Sequence, residues 1–147
     1  MSRRERLKCI TDFEENNQYS LETLSLFNIE YVMQLIKSDN ENAYVITDED
    51  GNIINSNDKW CKICDYNYDD LFDKNANILS GEQTNKTKIK KFMEELKTNG
   101  NSVMEIINYT QNRKSMDCIV MAYQLHQLNQ IFYLSKKKYF LCQFILK

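Results

Sequence analysis

Residues 43–58 read AYVITDEDGNIINSND, and this stretch decides the fold. An alternating segment, a turn at Asp50-Gly51 and a second alternating segment together predict a β-hairpin. Gly takes positive φ without steric cost, which two-residue hairpin turns require.

Upstream of the hairpin, Leu21, Leu24, Phe27, Tyr31 and Leu35 recur at helical spacing behind Ser20, a residue suited to capping. The spacing predicts one amphipathic N-terminal cap helix over 19–38, ended at Asp39–Asn42. Residues 1–18 are charged and polar without periodicity and read as a flexible arm.

Downstream, short helical runs are expected over Asp58–Cys64, with Asp58 as cap, and over Tyr68–Phe72. A better helix spans Thr84–Lys97, where Ile89, Phe92, Met93 and Leu96 share a face, and Asn99-Gly100 ends it. Everything after Ser102 reads as strand: SVMEIINYT, then SMDCIVMAYQLH, then KKYFLCQFILK, with LNQIFYL either pairing with that last strand or leading into it. The order predicts an α+β domain over residues 42–147, a five-stranded antiparallel sheet with short helices on one face and the N-terminal helical cap. No linker follows the last strand, so no effector domain is expected.

Composition narrows the function. A net charge of -2 over 147 residues leaves no surplus of Lys and Arg for a nucleic-acid face, and no apolar run is long enough to span a bilayer. The basic start MSRRERLKCI runs straight into TDFEENN without a signal-peptide core. Five cysteines without a framework spacing suit a reducing compartment, so a soluble cytoplasmic protein is expected. No catalytic triad, nucleotide loop or metal cluster is present, and the chain is not expected to be an enzyme.

The segments VITD (45–48), Asn57-Asp58, Asp65-Tyr66, KNANILSGEQT (74–84), INYT (107–110) and Cys142-Gln143 occur in the order of a light-oxygen-voltage (LOV) domain, the flavin-binding blue-light branch of the PAS fold. The chain resembles that family over roughly residues 42–144, most strongly in KNANILSGEQT. In the family the position of Ala76 is a Cys that bonds covalently to the excited flavin. A methyl group cannot do that chemistry, which needs a thiol or thiolate, so the resemblance implies a LOV-like domain without the covalent photocycle.

The resemblance also implies a set of cofactor-binding positions: Thr47, Asn75, Ala76, Asn77, Ser80, Asn108, Cys118 and Gln143. Asn108 and Gln143 match family residues that hold the flavin ring, and Thr47 matches one that lines it; an amide side chain carries both a donor and an acceptor for such a ring. Other positions depart from the family. Its second ring-binding Asn is Cys118, its two phosphate-binding Arg fall at Asn77 and near Met93, and the Gln of its motif is Ser80. Losing both Arg contacts weakens a phosphorylated flavin (FMN), with Lys88, Lys90 or Lys91 as candidate point charges that restore some of the attraction without the bidentate fork, and riboflavin suffers less.

Each of these residues also has a structural reading. Asn75 and Asn77 form turns, Asn108 and Gln143 can be strand-surface residues, and Cys118 can be a small buried hydrophobe. Cys61 and Cys64 make a C-x-x-C pair, but His126 is the only His and sits in no ligand spacing, so packing is expected and no metal. Two function classes remain. One is a LOV-like sensory or signalling domain holding FMN or riboflavin noncovalently. The other is a cofactor-free PAS interaction domain whose pocket is filled by side chains such as Met93, Met116, Met121 and Leu141. Both would act through a homodimer or a separate effector protein, docked on the N-terminal helix and the sheet face, with no nucleic acid and no membrane as partner.

Overall fold

A computed structural model describes Arg4, residues 19–71 and residues 73–147. The expected arm over 1–18 lies outside the described residues except for Arg4. The hairpin is present as β1 (Ala43–Asp48) and β2 (Ile53–Ser56), with Gly51 at φ 86° in the turn. β1 runs antiparallel to both β2 and β5 (Tyr139–Leu146), and β5 leads on to β4 (Ser115–Gln124) and β3 (Asn101–Tyr109). The sheet order is β2-β1-β5-β4-β3, five strands in the expected α+β arrangement.

All six residues of β1 are buried, because both faces of the sheet are covered there. Ala43 and Val45 join the core under the helices that follow β2, while Tyr44 and Ile46 face the N-terminal helices together with Leu141 and Tyr139. This two-sided burial marks β1 as an interior strand, next to the central β5.

The cap over 19–38 is two helices, α1 (Leu21–Ser25) and α2 (Ile29–Ser38), where one was expected. Ser20 caps the first by accepting from the Thr23 N–H, as its sequence suggests. The break has a tertiary cause. The Ile29 N–H donates to the Gln127 carbonyl at 2.9 Å, and the His126 N–H donates to the Ser25 carbonyl at 3.1 Å, so the chain leaving β4 takes backbone groups that a continuous helix would use itself. Asn28 then caps the second helix through the Glu30 N–H.

Asn57, the residue before α3 (Asp58–Cys64), is 1% exposed and caps that helix in place of Asp58. Its Oδ1 accepts from Trp60 N–H at 3.1 Å and from Tyr44 N–H at 3.0 Å. Its Nδ2 donates to the carbonyls of Asn42 (2.8 Å), Ile36 (3.0 Å) and Asp39 (3.3 Å). One buried amide therefore ties α2, β1 and α3 together.

Short 3-10 turns at Tyr68–Leu71 and Ala76–Leu79 lead to α4 (Lys86–Asn99), capped by Asn85 and closed by Gly100 at φ 83°. The segment before β5, expected to pair with or lead into that strand, leads into it as helix α5 (Gln130–Leu134). Asn129 caps α5 through the Phe132 N–H, and the Phe132 ring meets Tyr139 edge-on at 5.0 Å.

Candidate functional site

Strand alternation points Val45 and Thr47 of β1, Met104 and Asn108 of β3, Val120 of β4 and Cys142 and Phe144 of β5 to the inner face of the sheet. Opposite them stand the 75–80 segment and the Ile89, Phe92 and Met93 face of α4. Between the two layers lies a cleft of about 380 Å³.

The 75–80 wall is held by the hairpin. Asn75 Nδ2 donates to the Asp50 carbonyl at 2.8 Å and to Asn52 Oδ1 at 3.1 Å, and Asn75 Oδ1 accepts from the Asn77 N–H at 3.0 Å. The Ala76 N–H donates to the Gly51 carbonyl at 2.8 Å. A β-carbon at Gly51 would stand 3.3 Å from Asn75 Oδ1 on a backbone already at φ 86°, so the turn needs Gly. Ala76 is thereby fixed on the cleft wall.

The next residues are pinned to β3. The Thr84 hydroxyl accepts from the Gly81 N–H at 2.9 Å and donates to the Ile107 carbonyl at 2.7 Å. The Tyr109 hydroxyl accepts from the Gln83 N–H at 3.0 Å, and the Arg113 guanidinium lies 5.0 Å from the centre of the Tyr109 ring. The GEQT and INYT motifs are thus two sides of one joint that sets the height of the cleft.

Thr47, Asn75, Ala76, Asn77, Ser80 and Asn108 come together on the cleft. Thr47 and Asn108 are each 5% exposed. Among the described residues no hydrogen bond engages the Thr47 hydroxyl, and the Asn108 amide reaches only the Cys118 thiol. Cys118 is fully buried on the same face but behind the cleft wall, in the core with Cys64.

Gln143 is not brought to the cleft. The resemblance sets it against the ring, but alternation along β5 turns Cys142 and Phe144 inward and Gln143 outward, where its Nε2 donates to Asn42 Oδ1 at 3.3 Å. The sequence reading missed Cys142, although Phe140, Cys142 and Phe144 form the buried period-two face that marks it.

The thiols near the cleft are kept protonated. Burial pushes Cys142 up to about 12. Burial also pushes Cys118 up to about 11, opposed by the Asn108 hydrogen bond and assisted by the Asp117 charge. With Ala76 at the motif position, the cleft presents no thiolate at neutral pH. Among the described residues no group of three or more His, Cys, Asp or Glu side chains could hold a metal, and no helix is long and apolar enough to cross a membrane.

Residues 41–145 match the family model of the PAS domain. No curated protein matches the chain. Among solved structures, the chain is similar to a light-oxygen-voltage domain studied with a flavin analogue, at 15% identity over 80% of this chain and 84% of that one, with a TM-score of 0.64. It is similar to the LOV domain of a blue-light activated histidine kinase from Erythrobacter litoralis, at 16% identity over 72% and 95% of the two chains and a TM-score of 0.62. The PAS domain of the fruit-fly ELK potassium channel gives 15% identity, 80% and 95% coverage and a TM-score of 0.65. At these identities the likeness is one of fold.

Proposed function

The chain belongs to the PAS domain family, and from that premise we propose a LOV-like sensory module that holds a flavin noncovalently in its cleft and lacks covalent cysteinyl-flavin photochemistry. The observation that carries this reading is the pair Thr47 and Asn108. Two polar side chains of the sheet, each 5% exposed, face the cleft among Val45, Met104, Val120 and Phe144, and their polar atoms are open to a ligand there that offers a hydrogen-bond partner. A flavin ring supplies that partner along its polar edge and fills the space between Val45, Phe92, Met104 and Phe144 with an aromatic body. When bound, it supplies absorption of blue light, and Ala76 leaves it without a nucleophile.

As such a module the protein acts by binding rather than catalysis, in the cytoplasm, and passes its signal to a second copy or to an effector protein through the N-terminal helices and the sheet. The second reading, a cofactor-free interaction domain, is favoured by Met93 and Met104 on the cleft wall, since flexible thioethers can fill irregular space. Equilibrium dialysis of riboflavin against wild type and Asn108→Leu separates the two. Saturable binding that weakens in the variant supports the flavin reading, and no binding to either protein rejects it in favour of the second.

A further inference from the structure

The two ends of the sheet carry opposite surfaces. At the β4–β5 connection, α5 turns Ile131, Tyr133 and Leu134 to solvent, 72–77% exposed, while Phe132 packs on Tyr139. The chain then runs through Lys136, Lys137 and Lys138, with no acidic residue between 130 and 138. Lys137 lies 3.5 Å from Asp48 and from Asp50, but among the described residues Lys136 and Lys138 have no carboxylate partner.

The other end, at the turn between β3 and β4, is acidic. There the Gln111 N–H donates to the Cys64 carbonyl at 3.1 Å, and a hollow of about 420 Å³ opens beside α3, lined by Asp58, Asp65, Tyr66 and Tyr68 with Lys62 among them. Residues 58–73 carry five Asp against two Lys, a net charge of -3. Among the described residues none of Asp58, Asp65, Asp69 and Asp70 pairs with a Lys or Arg. β4 runs ten residues, about 30 Å, from this turn to the α5 end, so the two surfaces cannot meet within one molecule.

We propose that α5 of one copy docks in the acidic hollow of the next, with Ile131, Tyr133 and Leu134 against Tyr66 and Tyr68, and with Lys136 and Lys138 beside Asp65 and Asp69. The occupant is a second copy because this chain itself carries the complement: an apolar knob flanked by unpaired cations, and an aromatic hollow flanked by unpaired carboxylates. Neither surface is self-complementary, since an isologous contact would set like charges face to face. The contact is heterologous, and copies add head to tail. The small patch and its rim charges make it weak and salt-sensitive. It uses neither the cleft nor the N-terminal helices and does not rest on the flavin reading.

Sedimentation velocity tests this on wild type, Ile131→Ser/Leu134→Ser and Asp65→Asn/Asp69→Asn, at concentrations up to about 1 mM, where weak contacts are populated. Asp65 holds φ 61°, which Asn tolerates as well as Asp, so the second variant keeps its turn. Wild type is expected to grow in mass beyond a dimer as concentration rises, with association weakened about tenfold between low and high salt. Each variant alone is expected to lose that growth. An equimolar mixture of the two is expected to form one-to-one pairs that grow no further, because it joins one intact knob to one intact hollow. A mixture that stays monomeric, or a dimer untouched by either pair of substitutions, overturns the proposal. A monomeric wild type also overturns it, and binding of that monomer through α5 to vesicles of anionic lipid would assign the helix to a membrane surface instead.

Discussion

Gly81 packs against the face of Tyr109 so closely that a β-carbon at 81 would overlap the ring, and it would also stand 2.8 Å from the Arg113 guanidinium. Here the loop after the cleft wall closes on β3, with no room for even a methyl group. Gly81→Ala is therefore expected to destabilise the domain by about 1–3 kcal/mol in urea unfolding. Because the severest overlap is with the Tyr109 ring and the Arg113 contact is with the end of a flexible side chain, the cost is expected to shrink in a Tyr109→Ala background. Strict additivity of the two substitutions would contradict this account of the glycine.

Asn57 is expected to be among the most sensitive positions for stability. Asn57→Ala leaves carbonyls of α2 and the loop after it, together with N–H groups of Tyr44 and Trp60, buried without the partners recorded for them. The expected loss is about 3 kcal/mol or more, with Asn57→Asp similarly damaging because a carboxylate has no donors. A urea midpoint within error of wild type for either variant would rule this out.

The hairpin turn carries a pH dependence through Asp48, which is 4% exposed. Burial opposes its ionisation, but the Asn52 side chain and N–H, the Asp50 N–H and Lys137 outweigh it and hold the carboxyl below the usual carboxylate value. A group depressed in the folded state contributes stability above its unfolded value, about 3.9, and loses it as pH falls through the folded value. Asp48→Asn is therefore expected to be less stable than wild type at pH 7, with the gap closing below about pH 4. A gap of constant size at pH 7 and in acid would contradict the assignment.

Asn108 separates binding from folding. Replacing it with Leu removes a buried amide, so unfolding stability is expected to hold or rise. The same change is expected to weaken riboflavin by about tenfold or more. Parallel loss of both would mean that Asn108 serves the fold rather than the ligand.

The sheet and α4 were legible in the sequence because period-two and period-3.6 burial each leave a direct pattern, and Gly51 and Gly100 mark where those patterns stop. The break at Leu26–Asn28 was not, since it depends on Ser25 and Ile29 bonding to a chain a hundred residues away, at His126 and Gln127. Gln143 was assigned to the wrong face of β5 by the resemblance, because the loop before the strand sets a register that only pairing with β1 fixes, Tyr44 opposite Gln143 and Val45 opposite Cys142. Lys88, Lys90 and Lys91 were grouped together in the sequence reading, and only the rotation of α4 about its axis parts Lys90 from Lys88 and Lys91, which line a separate hollow.

The central claim, a flavin held in this cleft without a bond to the protein, is tested most directly by the absorption spectrum of protein saturated with riboflavin phosphate, in the dark and under blue light. The account predicts a structured oxidised-flavin band that illumination does not convert into a bleached covalent species, with all flavin released on denaturation. Flavin that stays attached to the denatured chain after illumination, or a protein that gives no bound-flavin band at any concentration, would contradict it.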